Sequence, residues 1–123
     1  MKVVEGVVVG GNQLGRKLGF PTANIALNSD CEVENGVYAS KVYIGNNAYS
    51  AMTNVGVRPS VDGSKRLLET HLFDFEGNLY GSTLRVELVE KIRDEKRFAS
   101  VDELKEQIAK DQAEIKSKIG STL

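Results

Sequence analysis

From Val3 to Leu88 the chain never settles into a helical period. Short β-rich segments recur instead, separated by glycine, asparagine and aspartate, which is the rhythm of an antiparallel sheet or barrel. The candidate strands are Val3–Val9, Val37–Ile44, Ala48–Val55, Leu67–Phe73 and Thr83–Val89, with Leu79–Tyr80 as a short extra one. Gly45-Asn46-Asn47 and Glu76-Gly77-Asn78 can supply the positive backbone dihedrals that tight hairpins demand. After the last strand the period changes: Val101, Leu104, Ile108, Ile115 and Ile119 recur at helical spacing, with Lys and Glu on the other face. Ser100 followed by Glu103 fits a capping box, and Gly120 stands where a helix would stop. The apolar stripe of that helix needs a surface, and the β unit is the one available. The pattern predicts a small antiparallel barrel of about six strands with one C-terminal helix packed on its outside: barrel about 3–90, link 91–99, helix about 100–119.

A chain of 123 residues can bury one core but not two, so residues 1–123 form a single domain with one site to find. Sixteen basic residues nearly cancel seventeen acidic ones and no dense Lys or Arg run occurs, which argues against a nucleic-acid partner. No obligatory protein partner is evident. No apolar run approaches the roughly 18 residues of a membrane span. Glu5 and Gly6 interrupt the N-terminal stretch where a secretory signal would be apolar, and a cytoplasmic protein is expected. One cysteine, Cys31, and one histidine, His71, cannot build a zinc cluster.

The segment Gly10-Gly11-Asn12-Gln13-Leu14-Gly15-Arg16-Lys17-Leu18-Gly19-Phe20 follows the first strand with four glycines and two cations. Such a loop can bring backbone N–H groups close to a phosphate while Arg16 or Lys17 neutralises charge. It is not a P-loop, because Arg16-Lys17-Leu18 replaces the required Lys and Ser or Thr and no helix follows. By itself it reads more readily as a plain flexible connection between strands than as a phosphate loop. In Pro21-Thr22-Ala23-Asn24 the alternation puts Thr22 and Asn24 on one side of an extended segment, where two neutral oxygens suit a hard cation such as magnesium. The same pair also suits an ordinary turn cap.

Taken together, Gly15-Arg16-Lys17-Leu18-Gly19-Phe20-Pro21-Thr22-Ala23-Asn24 resembles the signature of the riboflavin kinase family. The likeness continues through Asn54-Val55-Gly56-Val57-Arg58-Pro59, Leu68-Glu69-Thr70-His71-Leu72, Leu79-Tyr80-Gly81 and Arg93-Asp94-Glu95-Lys96-Arg97-Phe98. The resemblance implies a Greek-key barrel that binds ATP under an arch made by the glycine-rich loop. It also implies magnesium-dependent transfer of a phosphoryl group to the riboflavin 5′-hydroxyl, with FMN as product rather than cofactor. By resemblance, Gly11, Arg16, Leu72, Asp74 and Tyr80 meet the nucleotide, and Thr22 and Asn24 hold the metal. Arg93, Lys96 and Phe98 meet the flavin, on a segment that acts as a mobile flap. In many bacteria this domain is half of a bifunctional enzyme that also makes FAD; the adenylylating half is not in this sequence, and FAD synthesis is not expected. The competing reading is a flavin- or nucleotide-binding module without catalysis, against which the presence of Glu69, Thr22 and Asn24 argues.

Glu69 is the expected catalytic base. Alternation sets it on one strand face with Leu67, His71 and Phe73, and apolar neighbours favour a carboxylate that takes up a proton. In phosphoryl transfer such a group accepts the proton of the attacking hydroxyl. The bland alternative is a strand residue paired with Lys65 or Arg66. For segment 93–98 the alternative is a solvated charged link with Phe98 packed beneath the helix. His71 reads as structural, and Asn54, Gly56 and Arg58-Pro59 yield no chemical role.

Overall fold

The computed structural model describes residues 2–9, 23–27, 31–60, 63–73, 79 and 81–119, with the backbone alone for 58–60, 64 and 119. Six strands, β1 (Lys2–Val9), β2 (Ala23–Ala26), β3 (Gly36–Ile44), β4 (Asn47–Ser60), β5 (Gly63–Leu72) and β6 (Thr83–Arg93), precede one helix, α1 (Val101–Ile119). The strands close into a barrel in the order β1-β2-β5-β4-β3-β6, and every neighbouring pair is antiparallel. β3, β4 and β5 follow one another as hairpins and β6 returns beside β3, which is the Greek-key order. The β3–β4 turn is two residues long, with Ile44 opposite Asn47 and Gly45 at φ 58°, as the Gly45-Asn46 pair predicts.

The sixth strand is not the expected one. Leu79 lies outside any strand and Tyr80 lies outside the described residues, as do Glu76, Gly77 and Asn78; β2 completes the barrel instead. β4 and β6 run beyond their expected bounds, and β5 starts four residues earlier but ends at Leu72, with Phe73 in a turn.

Alternation sorts each strand into an inner and an outer face. Val8, Ile25, Val42, Val55, Leu68, Leu84 and Val86 turn inward and are buried. Full burial of a leucine such as Leu68 contributes roughly 2 kcal/mol. Gly6 is required at its position because a Cβ there would stand 2.5 Å from Ile25 Cγ2. Across this apolar interior runs a chain of hydroxyls: Ser40 Oγ meets Thr53 Oγ1 at 2.6 Å, Thr53 Oγ1 meets Thr70 Oγ1 at 2.9 Å, and Ser40 donates to the Ala51 carbonyl at 3.0 Å. All three residues are fully buried, so each must find its partner inside the protein.

α1 covers the outer faces of β3 and β4. Ile115 is fully buried there in a second cluster with Ala39, Phe73, Met52 and Ile92, and the Lys116 ammonium lies 5.2 Å over the Phe73 ring. The helix starts as predicted: Ser100 Oγ accepts from Glu103 N at 3.1 Å, and Glu103 Oε2 accepts from Ala99 N at 3.0 Å. The stripe differs in two members. Val101 is half-exposed, whereas Asp111, a charged residue, is 3% exposed.

Candidate active site

On the outer wall one cross-strand row brings together residues far apart in sequence. Asn24 on β2 stands opposite Glu69 on β5, Glu69 opposite Asn54 on β4, Asn54 opposite Val37 on β3, and Val37 opposite Arg93 on β6. Directly opposite residues share a face, with Cβ atoms about 4.5–5.5 Å apart. The Glu69 carboxylate is therefore flanked by two amides. Asn24 is 6% exposed, Asn54 and Glu69 are half-buried, and the side-chain oxygens of both asparagines are buried without a hydrogen-bond partner among the described residues. A buried amide oxygen left this way costs about 1–3 kcal/mol, so the pair marks where a donor or a cation belongs.

Asn24 also stands opposite Val9, the last residue of β1. The glycine-rich loop with Gly11, Arg16 and Thr22 leaves β1 and enters β2 at this pair, so both its ends are tied to the Asn24 side of Glu69. Gly11, Arg16, Thr22, Asp74 and Tyr80 themselves lie outside the described residues. Leu72 is 6% exposed and turns into the barrel interior, on the face of β5 opposite to Glu69. His71 shares the Glu69 face and is buried edge-on against Phe73, with ring centroids 5.5 Å apart, which suits the structural reading.

The segment after β6 closes the other flank. Gly56, next after Asn54 on the outer face of β4, touches the Glu95 carboxylate so closely that any Cβ would collide with it. Arg93 turns toward the helix: Nε donates to both Asp111 oxygens at 3.0 and 3.1 Å, and Nη2 donates to Oδ2 at 2.7 Å. Nη1 donates to the Asp94 carbonyl at 3.0 Å, and Gln107 Nε2 adds a further bond to Asp111. The bidentate fork explains how Asp111 is buried as an ion. Arg93 thus fastens the segment to α1, while Lys96 and Phe98 pair with each other, ammonium 5.7 Å from the ring centre.

Arg66 does not serve Glu69. Its guanidinium grips segment 31–35, donating to Asn35 Oδ1 at 2.9 Å, to the Cys31 carbonyl at 2.8 Å and to the Val33 carbonyl. Lys91 joins Glu34 and Asp94 at 2.5 and 2.6 Å. Its hydrogen bonds to the carboxylates of Asp94 and then Glu34 hold the Lys91 ammonium charged well above its usual range, and the bond that Asp94 accepts from Lys91 holds the Asp94 carboxyl below its own. Burial pushes the Tyr38 phenol up, and its hydroxyl donates to the Glu34 carbonyl at 2.6 Å. Sequence reasoning missed Asn54, Glu95 and Asp111, whose roles arise from cross-strand and helix contacts that no local pattern displays.

The family model described as Flavokinase, riboflavin kinase, matches residues 2–119. A bifunctional riboflavin kinase/FMN adenylyltransferase of Haemophilus influenzae is 48% identical over 109 residues, covering 88% of this chain and 35% of that protein. Its Escherichia coli counterpart is 45% identical over 120 residues, covering 97% of this chain and 38% of that protein. The chain thus spans little more than a third of the length of these relatives. A crystal structure from Streptococcus pneumoniae, described as a macrolide-efflux protein, is 38% identical with a TM-score of 0.81, over 90% of this chain and 37% of that one. On the match across residues 2–119, this chain belongs to the riboflavin kinase family.

Proposed function

We propose that the protein transfers the γ-phosphoryl group of ATP to the 5′-hydroxyl of riboflavin, giving FMN and ADP in the cytoplasm. The observation that carries this is the row Asn24–Glu69–Asn54: a carboxylate between two buried, unpartnered amide oxygens, in a chain of this family. Glu69 accepts the proton of the attacking hydroxyl as the bond to phosphorus forms and that to the ADP oxygen breaks. The orphaned Asn24 oxygen fits a hard cation, and Thr22, two residues earlier on the same alternation, adds a second neutral oxygen. Magnesium held there would neutralise charge on the transferring phosphate. Gly11 and Arg16 meet the ATP phosphates from the loop that begins and ends beside Asn24, and Asp74 and Tyr80 serve the nucleotide, while Leu72, whose side chain lies inside the barrel, can meet it only through its backbone. Lys96 and Phe98 offer a cation and a flat ring to the flavin, while Arg93 contributes by holding that segment in place.

The test is incubation of the purified chain with riboflavin, ATP and magnesium, followed by chromatographic separation of the flavins. FMN without FAD is the expected product. Quenched flavin fluorescence without FMN would instead favour a binding module.

A further inference from the structure

The β4 side of Glu69 carries a group that proton transfer and metal binding leave without a task. Asn54 stands directly opposite Glu69, and its Oδ1 is buried with no donor among the described residues. A buried amide oxygen calls for a hydrogen-bond donor or a cation. Sharing the Asn24 cation is disfavoured: the two asparagines lie two strand spacings apart, about 9.5 Å at the backbone. Glu69 stands between them, whereas magnesium ligands lie about 2.1 Å from the ion. Asn24 sits at the root of the glycine-rich loop, on the phosphate side; Asn54 is on the other side, toward Glu95. A donor on the acceptor substrate is what remains. A reacting oxygen held at the Glu69 carboxylate would have its neighbouring atoms within one cross-strand spacing of Asn54.

We propose that Asn54 is a specificity-determining residue: its Oδ1 accepts a hydrogen bond from the hydroxyl next to the one phosphorylated, so the site takes a polyol chain in preference to a simple primary alcohol. This inference rests on the riboflavin kinase reading, in which the ribityl chain supplies that neighbour as its 4′-hydroxyl. The buried amide oxygen then meets a donor with the true substrate and goes without one for an analogue lacking the group.

The experiment compares kcat/KM for riboflavin and 4′-deoxyriboflavin in the wild type, Asn54→Leu and Asn54→Ala. The wild type is expected to favour riboflavin by about tenfold or more, the usual discrimination from one buried hydrogen bond. Either variant should bring the ratio close to one, mainly through activity lost on riboflavin, an effect that a general loss of stability would not produce. A wild-type ratio near one, or an unchanged ratio in a folded variant, overturns the proposal while leaving the kinase reading intact. No FMN from the wild type on riboflavin overturns both.

Discussion

Asp111→Ala tests how the segment after β6 is held. Asp111 is 3% exposed and receives three bonds from Arg93 and one from Gln107. Removing one partner of a buried pair costs about 3–5 kcal/mol, because the other charge stays behind. The Arg93 side chain is 22% exposed, so water recovers part of that, leaving about 2–3 kcal/mol. Replacing Asp by Ala in a helix interior returns about 0.5 kcal/mol, for a net loss of roughly 2 kcal/mol. For a domain of this size that lowers Tm by about 6–10 °C. Circular dichroism at 222 nm during a thermal scan reads it, and Arg93→Met/Asp111→Leu should recover most of the loss, since neither charge is then stranded. A drop below about 2 °C in Asp111→Ala would refute the reasoning and return Arg93 to the solvent.

Further outcomes are expected. Glu69→Gln removes the proton acceptor with little change of shape, so kcat should fall by about 10²–10⁴ while nucleotide affinity is kept; equal kcat in mutant and wild type would remove Glu69 from the mechanism. Asn24→Ala and Thr22→Val should each raise the magnesium concentration needed for half-maximal activity, and an unmoved metal titration in both would dissolve the proposed metal site. Asp94, lowered by its bond to Lys91, helps the fold above the ordinary carboxylate range, and that help is lost as pH falls through its depressed folded value. Lys91→Met should move the Asp94 carboxyl titration, followed by carbon-13 NMR, up toward the ordinary carboxyl value of 3.8; no movement would mean that the pair is absent in solution.

The barrel was legible because inward-facing apolar residues alternate along the strands, as in Leu84, Val86 and Leu88, even though the hydroxyls Ser40, Thr53 and Thr70 interrupt that pattern on β3, β4 and β5. β2 was not, since four residues behind a proline carry too little pattern to separate a strand from a turn. The sequence pattern ends β4 at Val55, because Gly56 and Pro59 read as punctuation. Gly56 in fact continues the strand, and its missing side chain makes room for Glu95. Asp111 breaks the apolar stripe by type but not by position, as its charge is cancelled by a residue eighteen positions earlier. The expectation for Glu69 rests on its surrounding motif, whereas what distinguishes Asn54 is the residue opposite it, which no local pattern displays.

That row also has a history within each folding event. Glu69 and Asn54 meet through a hairpin, a contact close in sequence that forms early, whereas Asn24 reaches Glu69 only when β2 docks and the wall is shut. On the proposed function, the acceptor half of the centre would be assembled before the phosphate half, and a chain with an open seam would be catalytically silent however much sheet it had formed. In a refolding time course, FMN production should lag the β-sheet signal and coincide with closure of the β2–β5 seam; simultaneous recovery would mean that strand docking is not the last step.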